Sequence, residues 1–206
     1  LLETVVDKAT EKEKSEYFDE ADKYLYVSEL EESMLSEALA YTVTEEGINI
    51  TEKTVYWKGI AIEVKAADRI VYNDYREIMS MLSRHSDKDK LSLVNVGTHQ
   101  SNCHSYAWLS RLFPDMYRYY DLGIVPSELI NDCIVSNEPR IGYIAYTHQH
   151  SAIVVDNIGR DAFGKFNPVV IGKWAGGAII KGPMSAGNYK MESSVVKYYY
   201  YNTLTK

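Results

Sequence analysis

The sequence predicts an α+β domain: a helix packed on an antiparallel sheet, with a helical subregion ahead of it. Three observations predict this. Thr10 to about Tyr41 contains no Gly or Pro and spaces its apolar side chains at three and four residues. A second helical stretch runs from Cys103 to about Phe113 and is stopped by Pro114. From residue 141 onward, β-branched and aromatic runs alternate with turn residues, the pattern of a strand meander. No internal repeat or low-complexity linker divides the chain. Residues 1–50 read as an acidic helical N-terminal subregion. Residues 51–206 read as the main domain, with a motif-bearing core at 98–177, the whole forming one compact unit.

Each element has its own local signal. In the N-terminal stretch, Tyr17, Phe18, Ala21 and Leu25 make one apolar stripe, and Leu30, Met34, Leu35 and Ala38 a second. Ser28 with Glu31 is a capping-box pattern that predicts a break near Val27–Ser28. Gly47 then punctuates. Thr54–Val64 reads as a strand or hairpin with Lys58-Gly59 as its weak point. Asn73–His85 is a short amphipathic helix, with Tyr75, Ile78, Met79 and Leu82 on one face and Asn73 as its cap. Ser86–Lys90 is a charged loop and Leu91–Val96 a short apolar segment. Asn102 or Ser101 caps the helix that begins at Cys103. Met116–Pro139 is a mixed, looped region. Ile141–Thr147 and Ser151–Asp156 are strands joined by a very tight turn, and Asn157–Phe166 is a polar loop. Val169–Trp174, Ala178–Lys181 and Val195–Asn202 complete the meander.

Composition narrows the function. The net charge is -7 and the pI about 5.3, against a nucleic-acid binder, which needs a basic face to neutralise phosphates. Residues 1–40 hold twelve acidic residues and four lysines, so the remainder is near neutral. Such a block is a solvated helical face, with a pro-segment or partner-binding arm as the alternative. No apolar run approaches the roughly 20 residues of a membrane span. Two cysteines, Cys103 and Cys133, do not make a disulfide scaffold. Nucleotide-binding glycine motifs, a nucleophile-elbow serine and the zinc-protease helix motif do not occur.

The chemistry-bearing residues cluster after Gly97. Cys103, in the run Gln100 to Trp108, stands at the first turn of a helix, where unpaired backbone N–H groups and the positive end of the macrodipole favour a thiolate. Its pKa is expected below the free value of about 8.5. His150 opens a strand immediately after a tight turn, an edge position from which an imidazole can face a helix N-terminus. A base on a strand and a thiol on a helix suit nucleophilic catalysis. Gln100 and Asn102 stand close enough in sequence to assist an oxyanion, Asn102 alternatively acting as a plain helix cap. Trp108 and Trp174 line a substrate groove or belong to the core. A third arrangement, Cys103 with His148 and His150, has the donor types of a zinc site. Cys133, His85 and His99 read as bystanders.

The succession Asn102 to Trp108, then Pro139 to Asn157, then Val169 to Gly177 resembles the papain-like cell-wall hydrolases of the NlpC and CHAP type. It covers about Thr98 to Gly177, under half the chain, and none of its three motifs is diagnostic alone. The resemblance implies a papain-like fold and a thiol hydrolase of amide bonds, with peptidoglycan-type peptides as substrate and a secreted or envelope-associated location. It places Cys103 as nucleophile and His150 as base. For the third position it offers Lys173, whose ammonium cannot accept an imidazole N–H. Asn167, at the entry of the same strand, has a carbonyl that can. Tyr143 stands where the family often has Asp, and Ala175-Gly176-Gly177 makes an open turn.

The expectation is therefore a cofactor-free cysteine peptidase or amidase. A catalytically diverged binding module for cell-wall fragments or a protein partner is the alternative, and the zinc protein the third reading.

Overall fold

A computed structural model describes residues 48–113, 120–174, 177–187, 191 and 196–201 of the chain. The N-terminal helical stretch and the acidic block lie outside the described residues.

The first element is a hairpin of β1 (Ile50–Trp57) and β2 (Ile60–Ala67), with Trp57 paired to Ile60 across a two-residue turn. Lys58 and Gly59 both take positive φ, 46° and 81°, as a turn that matches the strand twist requires. Helix α1 (Tyr75–Arg84) follows. Its N-cap is Asp74, which accepts the Glu77 N–H, rather than Asn73, whose amide donates to the Val96 carbonyl at 2.7 Å. Then come β3 (Ser92–Asn95) and helix α2 (103–112), whose central turn Ser105–Leu109 is π-helical before Ser110–Leu112 closes it. The region expected to be looped contains β4 (Tyr120–Asp121), helix α3 (Ser127–Asn131) and β5 (Cys133–Ser136). The meander is β6 (Ile144–Tyr146), β7 (Ser151–Arg160), β8 (Phe166–Lys173), β9 (Ile179–Pro183) and β10 (Lys197–Tyr201). β7 and β8 extend into the expected polar loop, leaving only a turn around Asp161–Gly164, where Asp161 accepts the Phe163 and Lys165 N–H groups.

Among the described residues, seven strands form one sheet in the order β3-β9-β8-β7-β6-β10-β5, and β1, β2 and β4 form a second, smaller one, with every strand pairing antiparallel. The molecule is thus α+β with a mainly antiparallel sheet. Strand alternation divides the large sheet into two faces. Ile144, Tyr146, Ile153 and Ile171 share a core with Tyr106, Trp108 and Leu109 of α2, and with Ile62 and Val64 of β2. Ala145, Ala152, Val154 and Tyr198 turn the other way, onto Met184, Met191 and Val196. Beside them, Trp174 and Ile180 bury Ile78 and Leu82 of α1. Helix α2 therefore sits on the face that carries Ser151, Ile153, Ile171 and Lys173. No described helix is long and apolar enough to cross a membrane.

The loop leading into α2 is held close to the β8–β9 turn. Gly97 has φ +68°, and a Cβ there would run into the Gly177 carbonyl. Gly97→Ala meets both a disfavoured backbone conformation and a collision, and is expected to cost more than about 1 kcal/mol of stability. Urea unfolding measures it, and an unchanged midpoint would contradict this packing.

Candidate active site

Helix α2 begins at Cys103 because Asn102 caps it. Asn102 Oδ1 accepts the Ser105 N–H at 2.9 Å, and its amide donates to the Leu122 carbonyl at 2.9 Å. The Ser105 hydroxyl donates to the same Oδ1 and accepts the Leu122 N–H at 2.8 Å. Both ends of the Asn102 side chain are thus committed to the cap and to the chain after β4. Asn102 serves the helix and not an oxyanion.

The Cys103 sulfur, buried in the first turn, lies within reach of the N–H groups of Cys103, His104 and Ser151. The Ser151 N–H belongs to the peptide that joins it to His150, so the sulfur abuts the His150–Ser151 link. These donors and the nearby Lys173 favour a thiolate, but loss of hydration outweighs them and pushes the Cys103 thiol up rather than down. The expected depressed pKa is corrected here: the helix terminus supplies its donors in a place without water.

His150 is set by the β6–β7 turn. Its N–H bonds to Thr147 Oγ1 at 3.1 Å, and its carbonyl accepts the Thr147 N–H at 2.9 Å. The imidazole is 5% exposed and lies against Gly172, where a Cβ would stand 3.1 Å from Nε2, on the sheet face opposite α2. The expectation that it faces the helix N-terminus is corrected here, because strand alternation turns Ser151, not His150, toward Cys103. The imidazole lines a cavity of about 20 Å³ with Val170, Trp174, Met184 and Met191, room for about one water molecule. Burial, with His104 adding to it, pulls the imidazole down to about 3, so it is neutral throughout the physiological range.

Ser151 ties these parts together and is not evident from the motifs. Its Oγ accepts the Trp108 indole N–H at 3.0 Å and lies 2.7 Å from His104 Nδ1. The His148 carbonyl accepts the proton of the other ring nitrogen, so the neutral His104 carries its proton on Nε2, and the Ser151 hydroxyl donates to Nδ1. Helix α2 is thereby stitched to both arms of the β6–β7 turn. The signal that marks Ser151 is a polar residue on the core face of the apolar run Ser151–Val155, and periodicity alone gives it no role.

Lys173 is 1% exposed and donates to the carbonyls of Thr98 at 2.6 Å and Gly177 at 2.8 Å. Burial pulls its ammonium down to about 7, while the charges of Cys103 and Asp121 work the other way. It is a cation beside the sulfur, and nothing in its bonding makes it an acceptor for His150. Gln100 is buried three residues before Cys103. Its Oε1 accepts the Val71 N–H at 3.0 Å, and its Nε2 has no acceptor among the described residues.

Two expected contributors fall elsewhere. Asn167 stands five residues along β8 from Gly172, about 16 Å of extended chain, and its Oδ1 accepts the Ser185 N–H. It does not reach His150. Trp108 is core. Trp174 packs on α1 and His85, and meets the site only as a wall of the His150 cavity. The zinc arrangement is not assembled: His148 is exposed against Tyr146, and no metal-holding group of three His, Cys, Asp or Glu side chains occurs among the described residues. Cys133, at the start of β5 rather than in a loop, donates to the Leu129 carbonyl, and its thiol is pushed up to about 12.

Ser151→Ala leaves the Trp108 and His104 ring nitrogens without their shared partner. It is expected to cost about 1–3 kcal/mol in denaturant unfolding, whereas a loss below about 0.5 kcal/mol would show that water replaces the hydroxyl. His150 also predicts a pH dependence of stability. Its folded pKa lies below the unfolded value of about 6.5, so the unfolded chain binds the extra proton. Stability is full above about pH 6.5 and falls progressively as pH drops toward 3. His104, lowered by burial in the same direction, adds to the slope. Denaturant midpoints at pH 7 and pH 5 should differ less in His150→Gln than in the natural chain; equal differences would contradict a buried neutral imidazole.

Compared with protein-family models, curated proteins and solved structures, the chain matches none.

Proposed function

We propose that the chain is a cysteine-dependent amide or peptide hydrolase, with Cys103 as nucleophile and His150 as general base, on a papain-like scaffold. The observation that carries this reading is the meeting of three features at one point. A thiol stands at a helix N-terminus, backbone N–H groups of Cys103, His104 and Ser151 converge on its sulfur, and Lys173 lies within electrostatic range on the same face, while the His150 imidazole packs against Gly172 on the other face of the sheet.

The chemistry follows from those groups. Cys103 Sγ attacks the substrate carbonyl carbon as its proton passes to His150, a transfer that requires the imidazole to turn from Gly172 to the α2 side of the sheet. The carbonyl π electrons move to oxygen, and the oxyanion accepts the Cys103 N–H and the Gln100 Nε2–H. Collapse expels the amine, which takes the proton from His150 and leaves a thioester on Cys103. Water, deprotonated by His150, attacks that thioester and releases the acid and the thiol. The cycle needs no cofactor. Peptidoglycan-type peptides are the proposed substrates and the cell envelope the proposed place of action, on the resemblance of the three motifs. Lys173 and Gln100 belong to this site, and Asn102 and Asn167 do not act in it.

The near-complete burial of Cys103 and His150 favours a second reading, a diverged module that binds such fragments without cleaving them. Incubation with soluble muropeptides, followed by mass spectrometry, separates the two. The hydrolase reading expects new amine termini at a rate reduced at least 100-fold in Cys103→Ala and in His150→Gln. Saturable binding with no cleavage supports the module, and cleavage that survives Cys103→Ala removes Cys103 from the reaction.

A further inference from the structure

A lysine with 1% of its surface exposed is uncommon, and one within electrostatic range of a buried thiol asks for an explanation. Lys173 lies on β8, on the face that receives α2. Its Nζ bonds to Thr98, in the loop that enters α2, and to Gly177, in the β8–β9 turn. Two charge partners stand within electrostatic range, Cys103 on α2 and Asp121 at the end of β4. Asp121 is in turn faced by Lys65 of β2 and by the Asn102 side chain, and one of its oxygens, Oδ1, is buried with no donor among the described residues. His104, whose Nδ1 bonds to Ser151 Oγ, is the titratable ring on this face, and His150 lies on the other face against Gly172.

We propose that Lys173 is a positioning residue for the nucleophile: a cation fixed by the Thr98 and Gly177 carbonyls that opposes the charge of the Cys103 thiolate and holds the nucleophile loop on the sheet. This rests on the reading of Cys103 as nucleophile. The two carbonyl dipoles point negative ends at Nζ and favour the ammonium, which has three donors and no acceptor. The two groups titrate as a coupled pair: the thiolate that forms on Cys103 holds the proton of the ammonium, and the ammonium favours loss of the thiol proton, in a medium that screens charge poorly. Lys173 thus lowers the cost of the charge that burial imposes on the thiol. The role differs from the orienting role that the third position has in the resembling families: Lys173 acts on the sulfur and not on the imidazole.

The test needs no substrate. Iodoacetamide labelling of Cys103 is followed against pH by peptide mass spectrometry, with Cys133 as internal comparison, in the natural chain, Lys173→Met and Lys173→Arg. The expected result is a Cys103 midpoint at least one pH unit higher in Lys173→Met, hence labelling about tenfold slower below the midpoint, with most of the shift recovered in Lys173→Arg. A folded Lys173→Met with the midpoint moved by less than about 0.3 unit overturns the proposal, since a merely structural lysine would lower the melting temperature alone. If Lys173→Met does not fold, the reciprocal measurement decides. The Lys173 midpoint, read by NMR of its side-chain carbon, should fall in Cys103→Ala, and an unchanged midpoint overturns the proposal. Muropeptide cleavage that depends on Cys103 alongside an unmoved midpoint would leave the hydrolase reading standing and remove only Lys173 from it.

Discussion

Everything around Cys103 depends on burying the polar N-terminal end of α2 against the end of an apolar sheet. A helix terminus carries N–H groups that the helix cannot satisfy, and the cost of hiding them from water is high. The chain meets it with partners from distant segments. Asn102 caps the first turn, Ser105 and Leu122 tie that cap to the chain after β4, and Ser151 links Trp108 and His104 to the β6–β7 turn. The sulfur occupies the remaining position, against the donors of Cys103, His104 and Ser151. A polar helix end made compatible with burial is also a set of aligned donors around a nucleophile.

Close approach is the second consequence. The imidazole of His150 lies against Gly172, and the loop before α2 lies against the β8–β9 turn at Gly97 and Gly177. Each contact uses a position where a Cβ would intrude. The absence of side chains lets the two backbones approach in one place and the ring pack on the strand in another, and each contact removes water. Dehydration then sets the protonation states: it raises the thiol, lowers the imidazole and lowers the ammonium of Lys173. The resting groups are a neutral sulfur and a neutral histidine, with the Lys173 ammonium as the cation on the side of the sulfur.

What the sequence made legible was local. Lys58-Gly59 was legible as the weak point of a strand or hairpin, and it is the turn of a hairpin because a turn of that kind depends on its own two residues. Asn102 announced a cap, and Pro114 the end of the helix. The tight turn before His150 was read from neighbours a few residues apart. What stayed hidden depended on register and on contacts far along the chain. Asp74 and Asn73 are both capable caps, and only the Val96 carbonyl, 23 residues away, takes Asn73 out of the role. Asn167 had the right chemistry for an orienting residue, but the length of β8 carries it to the wrong end of the strand. The Cys103 thiol was expected to be acidic because the helix terminus is local, whereas the burial that opposes it is supplied by sheet and loops. Lys173 was visible, but its partner Thr98 lies 75 residues earlier.

The central claim is that Cys103 is a nucleophile and not a core thiol. Acylation by p-nitrophenyl acetate tests it without knowledge of the natural substrate. The thiol displaces p-nitrophenolate and becomes a thioester, which intact-mass and peptide mass spectrometry locate. The account predicts one acetyl group per chain, on Cys103, a burst of nitrophenolate matching it, and loss of the burst in Cys103→Ala. Acetylation confined to lysines and the N-terminus, with Cys103 unmodified in the folded protein, would contradict it and leave Cys103 a buried member of the core.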